Sequence, residues 1–221
     1  MSDYRGIIFD LDGTLLSSLE DIADCANLAL EQMGFPAQPL EKYRYFVGDG
    51  VALLIQRILP EEVRGDEKIR AELLARYSRE YGENEGWAQK TAPYPGIPEL
   101  LDAIDRKGLK KAVFSNKPAN CTELCVSRLL SPWTFDEVVG QKDGVIPKKP
   151  DPAGARIILE RWKMSPEEVL YVGDTSTDMK TAQNAGLFSI GVTWGFRPEE
   201  ELAANGAKRI VHHPMEIAEL F

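Results

Sequence analysis

Short apolar runs, each followed at once by a polar cluster, recur along this chain with helical patterns between them. This alternation constrains the fold more than any other feature of the sequence. Arg5-Gly6-Ile7-Ile8-Phe9 reads as a buried strand ending on an acidic cluster. Lys111–Phe114, Phe135–Val139, Val169–Val172, Phe188–Val192 and Arg209–Val211 read as further strands. Helices are expected over Pro98–Lys107, closed by Gly108, over about 118–130, over 152–163, and over 177–185, closed by Gly186. Ser165-Pro166-Glu167-Glu168 reads as an N-cap followed by a proline-led turn. Strand, helix, strand in regular succession implies parallel pairing, so the expected class is α/β with a doubly wound parallel sheet.

One stretch breaks the rhythm. From Leu19 to Met33 apolar residues fall at Leu19, Ile22, Ala23, Ala26, Ala29, Leu30 and Met33, a helical spacing with Ser18 as N-cap and with Gly34 and Pro36 ending it. Residues 40–58 and 66–81 also read as helical, broken by a Gly48-Asp49-Gly50 turn and by Pro60. No convincing strand lies between about 16 and 90. Residues 16–91 are therefore expected to form an all-helical inserted domain, and 1–15 with 92–221 the α/β domain.

In an open parallel sheet, ligands bind outside the carboxyl ends of the strands. Four polar clusters fall at or near such ends: Asp10-Leu11-Asp12-Gly13-Thr14, Ser115-Asn116-Lys117, Lys148-Lys149-Pro150, and Gly173-Asp174-Thr175-Ser176-Thr177-Asp178. The first alone is ambiguous, since Asp-Gly is a common turn. A calcium loop opening at Asp10 would place a glutamate where Asp21 stands, and its middle positions would not be apolar Leu15 and Leu16. The combination is more telling. Hydrolysis of phosphate monoesters is among the slowest reactions in water, and no single acid or base supplies more than about 10⁴ of the acceleration required. Such chemistry needs a nucleophile, a metal, an acid–base group and donors for phosphoryl oxygens together, and the four clusters hold a candidate for each.

Composition limits the partners. With 26 basic and 35 acidic residues the net charge is −9, which repels nucleic-acid backbones. A local positive site must then come from a bound metal and a few lysines. No apolar stretch approaches the ~18 residues that a membrane span needs, and the amino terminus lacks a secretory pattern. A soluble, cytoplasmic protein is expected, with no nucleic-acid or membrane partner, as a monomer or homodimer. Cys25, Cys121 and Cys125 fit reduced thiols.

Phe9-Asp10-Leu11-Asp12-Gly13-Thr14-Leu15 resembles the first motif of the haloacid dehalogenase (HAD) superfamily. Ser115-Asn116 resembles its second motif, Lys149-Pro150-Asp151-Pro152 its third, and Gly173-Asp174 with Asp178 its fourth. Order and spacing agree over nearly the whole chain, and the helical insert is similar to the cap of the phosphoglycolate phosphatase-like branch. Tyr43-Arg44 and Val47-Gly48-Asp49-Gly50 loosely resemble that branch's cap loop. The resemblance implies a Rossmann-like core with a helical cap, and a magnesium-dependent phosphatase acting on a small phosphate monoester, phosphoglycolate first among them. It implies that Asp10 is the nucleophile, forming an aspartyl-phosphate, and that Asp12 is the acid–base group. Mg²⁺ would be held by Asp10, the Asp12 carbonyl and Asp174. Ser115, the Asn116 amide and Lys149 would bind phosphoryl oxygens. Thr14, placed with the substrate-binding group, would fix the loop or Asp12, and Asp178 would support the metal site or Lys149 from behind. Rival readings are a phosphomutase similar to β-phosphoglucomutase and a catalytically silent binding module on the same fold. A true dehalogenase is disfavoured by Asp12.

Other residues have plainer readings. Lys117 reads as a solvated helix-entry lysine, and either of the neighbours Lys148 and Lys149 could face solvent, with the motif register favouring Lys149 as the phosphate partner. Capping accounts for at least one of Thr175, Ser176 and Thr177. Cys121 and Cys125 read as packing residues, His212-His213 as surface or filler, and Gly48-Asp49-Gly50 as a turn that could also approach a leaving group. The four tryptophans read as packing residues, although Trp194-Gly195-Phe196 follows a strand and could border the site.

Overall fold

A computed structural model describes residues 4–221. Residues 1–3, where the expected α/β domain opens and where the reading of the amino terminus begins, lie outside the described residues. The chain divides into two compact units. One comprises the residues up to Leu16 together with Pro93–Phe221, and the other Ser17–Ala92.

The first unit opens with β1 (Gly6–Phe9). Two short strands at the chain crossings, β2 (Leu16–Ser17) and β3 (Ala92–Pro93), pair as a ribbon. After β3 come α5 (Ile97–Lys107), β4 (Lys110–Pro118), α6 (Ala119–Leu129), β5 (Glu137–Gln141), α7 (Ala153–Trp162), β6 (Val169–Gly173), α8 (Ser176–Ala185), β7 (Phe188–Val192), α9 (Glu199–Ala204) and β8 (Arg209–Val211). The six long strands form one parallel sheet in the order β5-β4-β1-β6-β7-β8. From central β1 the chain builds outward on one side, then returns to build the other, so strand order reverses beside β1. Ile7, Ile8 and Phe9 are all buried, as expected of a strand covered on both faces. Ile8, Phe114 and Tyr171 share a core cluster with Ala155, Ile158 and Trp162 of α7 and Ala182 of α8.

The register sets the site. Phe9 pairs with Val113 on one side and with Val172 on the other. The residues that follow these three strands' apolar runs therefore leave the sheet at one level. Two expected boundaries move. β4 does not stop at Phe114 but continues to Pro118, with an irregularity against β5 between Phe114 and Pro118. β5 begins at Glu137 and not at Phe135, because its register against β4 pairs Glu137 with Ala112. α9 and a 3₁₀ stretch, Pro214–Leu220, lie where no element was expected. Both are short, and their helical patterning is correspondingly weak.

The second unit is helical: α1 (Leu19–Gln32), α2 (Leu40–Phe46), α3 (Val51–Ile58) and α4 (Glu67–Ser78), followed by a π turn at Arg79–Glu83 and a 3₁₀ turn at Gly86–Ala88. Ser18 occupies the N-cap position of α1 without a side-chain cap bond. Asp66 caps α4, accepting from the Lys68 and Ile69 amides. Gly48 and Gly50 take φ of 117° and 89°, which ends α2 and starts α3. Arg57 of α3 braces this turn, reaching Asp49 at 2.6 Å and the Phe46 carbonyl at 3.1 Å. Asp21, buried in the first turn of α1, accepts from the Lys90 amide, the Thr91 amide at 2.8 Å and the Thr91 hydroxyl at 2.6 Å. It thereby ties the end of this unit to its first helix.

Candidate active site

Asp10 leaves the end of β1 with its amide still bonded to the Val172 carbonyl at 2.9 Å, so its position is set by the β1–β6 ladder. Its Oδ1 accepts from the Leu11 amide at 2.7 Å and lies 2.8 Å from Lys149 Nζ. Among the described residues no hydrogen bond engages its Oδ2. The loop beyond closes tightly, with the Leu15 and Leu16 amides both reaching the Leu11 carbonyl at 2.9 Å. Gly13 takes φ of 86°, and a Cβ there would strike the Asp174 carboxylate.

Asp174 follows β6 and is fully buried. Its Oδ1 accepts from the Thr14 hydroxyl at 3.1 Å and its Oδ2 from the Phe196 amide at 2.8 Å. Asp178 sits one turn into α8 as part of a capping box. Its Oδ2 takes the Thr175 amide and hydroxyl, while the Thr175 hydroxyl accepts from the Asp178 amide. A helix-start motif thus aims a carboxylate into the sheet crevice. Asp178 Oδ1 accepts from Lys149 at 2.7 Å and from the Tyr171 hydroxyl at 3.3 Å. Lys149 is 4 % exposed and its main chain is clamped by Asn116. The Lys149 amide donates to Asn116 Oδ1 at 2.7 Å, and Asn116 Nδ2 donates to the Lys149 carbonyl at 3.2 Å.

Carboxylate oxygens of Asp10, Asp174 and Asp178 all lie within 4.8 Å of one another, and all three residues are buried. The Lys149 ammonium is paired with two of these carboxylates, Asp10 and Asp178. Burial, followed by repulsion from Asp178, pushes the Asp10 carboxyl up to about 7 despite the pull of Lys149. Burial and then the other two carboxylates push Asp174 well above the usual range. Lys149 is held well above its ordinary value, because Asp10 and Asp178 outweigh its burial. The cluster carries excess buried negative charge on hard oxygen donors, the chemistry that suits a divalent cation. Among the described residues, Asp178 accepts on both oxygens and is paired to the Lys149 ammonium, whereas Asp174 accepts only from the neutral Thr14 hydroxyl and Phe196 amide and Asp10 accepts only on Oδ1. Asp10 and Asp174 are accordingly the carboxylates better able to face an ion.

Other residues depart from the sequence reading. Thr14 is fully buried, and its hydroxyl donates to Asp174 and not to Asp12, which ties the loop to the end of β6. The Asn116 side chain serves the Lys149 backbone. Ser115 is buried and its hydroxyl accepts from the Lys117 amide at 3.2 Å. The Asp12 side chain stands outside the carboxylate trio, paired with Lys117 at 2.7 and 2.9 Å. Lys117 is therefore not a solvated lysine: it is buried, because β4 extends through it. Trp194-Gly195-Phe196 does border the site. Trp194 Nε1 donates to the Thr14 carbonyl at 3.0 Å, and a side chain at Gly195 would collide with Asp174. Cys125 is buried, Cys121 half-buried, and His212 and His213 are exposed.

Residues 7–192 match the model of the haloacid dehalogenase-like hydrolase family. The chain belongs to this family. As a haloacid dehalogenase-like hydrolase it is 31% identical over 205 residues to a phosphoglycolate phosphatase of Aliivibrio fischeri, covering 91% of this chain and 89% of the relative. It is 34% identical over 192 residues to a phosphoglycolate phosphatase of Aquifex aeolicus, covering 87% and 86%. The crystal structure of a candidate phosphoglycolate phosphatase from Lactobacillus delbrueckii superposes with a TM-score of 0.90 at 29% identity, covering 99% and 98%. The doubly wound parallel sheet is thus the fold of the hydrolase family. Sequence reasoning missed three contributors to the site of this hydrolase: the Phe196 amide, the Tyr171 hydroxyl and Lys117. The continuous apolar run of β6 hid Tyr171, and nothing in local sequence marks a main-chain donor.

Proposed function

We propose that this hydrolase is a Mg²⁺-dependent phosphatase that cleaves a small phosphate monoester through an aspartyl-phosphate on Asp10. The observation that carries the reading is the buried group formed by Asp10, Lys149, Asp174 and Asp178 at the carboxyl ends of β1 and β6. Asp10 and Asp174 would hold the ion, with the Asp12 carbonyl, and its charge would offset that of the substrate phosphoryl group and of the carboxylates. Asp10 Oδ2, unengaged by protein donors, attacks phosphorus as the bond to the leaving oxygen breaks. Asp12 supplies the proton that the leaving oxygen takes up. Water then attacks the aspartyl-phosphate, Asp12 accepts its proton, and phosphate departs as Asp10 is regenerated. Lys149, oriented by Asn116 and Asp178, neutralises the phosphoryl oxygens, and Ser115 with the Asn116 main-chain amide donates to them. Asp178 fixes Lys149.

Phosphoglycolate is the leading substrate. The names of relatives about 30% identical over most of the chain support it. The test is a panel of phosphorylated two-carbon acids, sugars and nucleotides, compared by kcat/KM in the presence and absence of EDTA. Phosphoglycolate should rank first, with free phosphate as product, and chelation should stop turnover until Mg²⁺ is restored. Asp10→Asn should fold and lose turnover below detection. Transfer of phosphoryl to a sugar, activity in EDTA, or an active Asp10→Asn would each defeat the reading.

A further inference from the structure

Lys117 has no place in the phosphoryl machinery just described, yet the fold holds it with care. Its side chain is only 6 % exposed, and Nζ donates to both oxygens of Asp12. Its backbone is pinned on both sides. The amide donates to Ser115 Oγ, and the carbonyl accepts from Thr122 Oγ1 at 3.1 Å. Lys149, not Lys117, faces the carboxylate trio. An ion pair this deep is a poor source of stability, because removing both charges from water offsets most of their attraction. What a bidentate pair does supply is direction. Asp12 stands on a tight loop next to a glycine at positive φ, and its carboxylate has two rotatable bonds of its own. An ammonium contacting both oxygens selects one setting of them.

We infer that Lys117 is a positioning residue for the acid–base step: it aims the Asp12 carboxylate at the leaving oxygen and at the hydrolytic water. The inference rests on the proposed role of Asp12. Proton transfer demands close alignment, and a displacement of about 1 Å can cost about 100-fold in rate. Lys117 thus acts on turnover and not on substrate affinity.

The test is a double-mutant cycle on the full chain with p-nitrophenyl phosphate and Mg²⁺, comparing wild type, Lys117→Met, Asp12→Asn and the double variant. Circular dichroism and inhibition by fluoroberyllate check that each variant folds and keeps its phosphoryl site. Lys117→Met should lower kcat by 10- to 100-fold without raising KM, which falls together with kcat where breakdown of the aspartyl-phosphate limits turnover. In the double variant the lysine substitution should add less than about twofold to the loss from Asp12→Asn. Nitrophenolate needs no proton to leave, so Lys117→Met should still release a first-turnover burst before its slowed steady state. An unchanged kcat in Lys117→Met, a raised KM with kcat held, or a full multiplicative loss in the double variant would overturn the inference while leaving Asp12 in its role. Wild-type turnover in Asp12→Asn would instead remove the parent reading.

Discussion

In the absence of any divalent cation this protein should become less stable as the solution becomes more alkaline, across a range where most proteins change little. Asp10 is the reason. Its carboxyl rises from an ordinary 3.8 to about 7, first through burial and then through repulsion from Asp178. A carboxyl whose folded pKa exceeds its unfolded one keeps a proton in the folded protein that the unfolded chain has already released. Its contribution is complete below pH 4 or so and is lost as pH climbs to about 7. One pKa unit corresponds to about 1.4 kcal/mol, so the full excursion is worth about 4 kcal/mol. The part between pH 5.5 and 7 is about 2 kcal/mol, which for a chain of this size means a fall in Tm of about 4–8 °C. Asp174 shifts in the same direction and steepens the fall. Lys149, raised instead, contributes throughout this window and adds no slope. The exposed carboxyls of Glu80 and Glu168 are lowered, so they act below their ordinary 4.5 and outside the window. Thermal melts in EDTA at half-unit steps from pH 5.5 to 8 measure the effect, with Asp10→Asn as control. The variant should flatten the curve and melt higher than wild type at pH 8. Saturating Mg²⁺ should restore wild type most strongly at that alkaline end, where protons no longer compete for the carboxylates. A wild-type Tm in EDTA that holds constant or rises with pH, or an equal slope in Asp10→Asn, would refute the assignment of this charge to Asp10.

The surroundings of the cluster make further claims. Gly13→Ala drives a methyl group into the Asp174 carboxylate at a positive φ, so Mg²⁺ affinity measured by calorimetry should fall at least about tenfold; wild-type affinity would contradict the packing described. Thr14→Val keeps the shape and deletes the donor to Asp174 Oδ1, with an expected loss of about tenfold in Mg²⁺ affinity and an intact urea midpoint as the check on folding. Asp21→Ala strands the Lys90 and Thr91 donors and should cost about 3 kcal/mol in urea unfolding; a loss under about 1 kcal/mol would mean that this staple is idle.

Much of this could be read from residue order, because the relevant physics is local. Ile7, Ile8 and Phe9 are apolar in succession, so they must be covered on both faces, and the polar cluster after them must emerge at a strand end. Thr175 and Asp178 stand at capping-box spacing, so the helix start and the carboxylate it presents follow from a few residues. Gly108 and Gly186 close their helices in the left-handed conformation for equally local reasons.

Tertiary structure decided which side chains meet. Thr14 and Asp174 are bonded across 160 positions, Lys117 and Asp12 across 105, and Lys149 and Asp178 across 29. The Asn116 side chain became the clamp on the Lys149 main chain, 33 positions away. Lys117 looked solvated because a lysine before a helix usually is, but β4 runs four residues past its apolar run, to Pro118, and Lys117 is buried within it. A residue's own chemistry is set by its type and its neighbours in sequence. Its partner, and the sign of its electrostatic surroundings, are set by strands paired far apart in the chain.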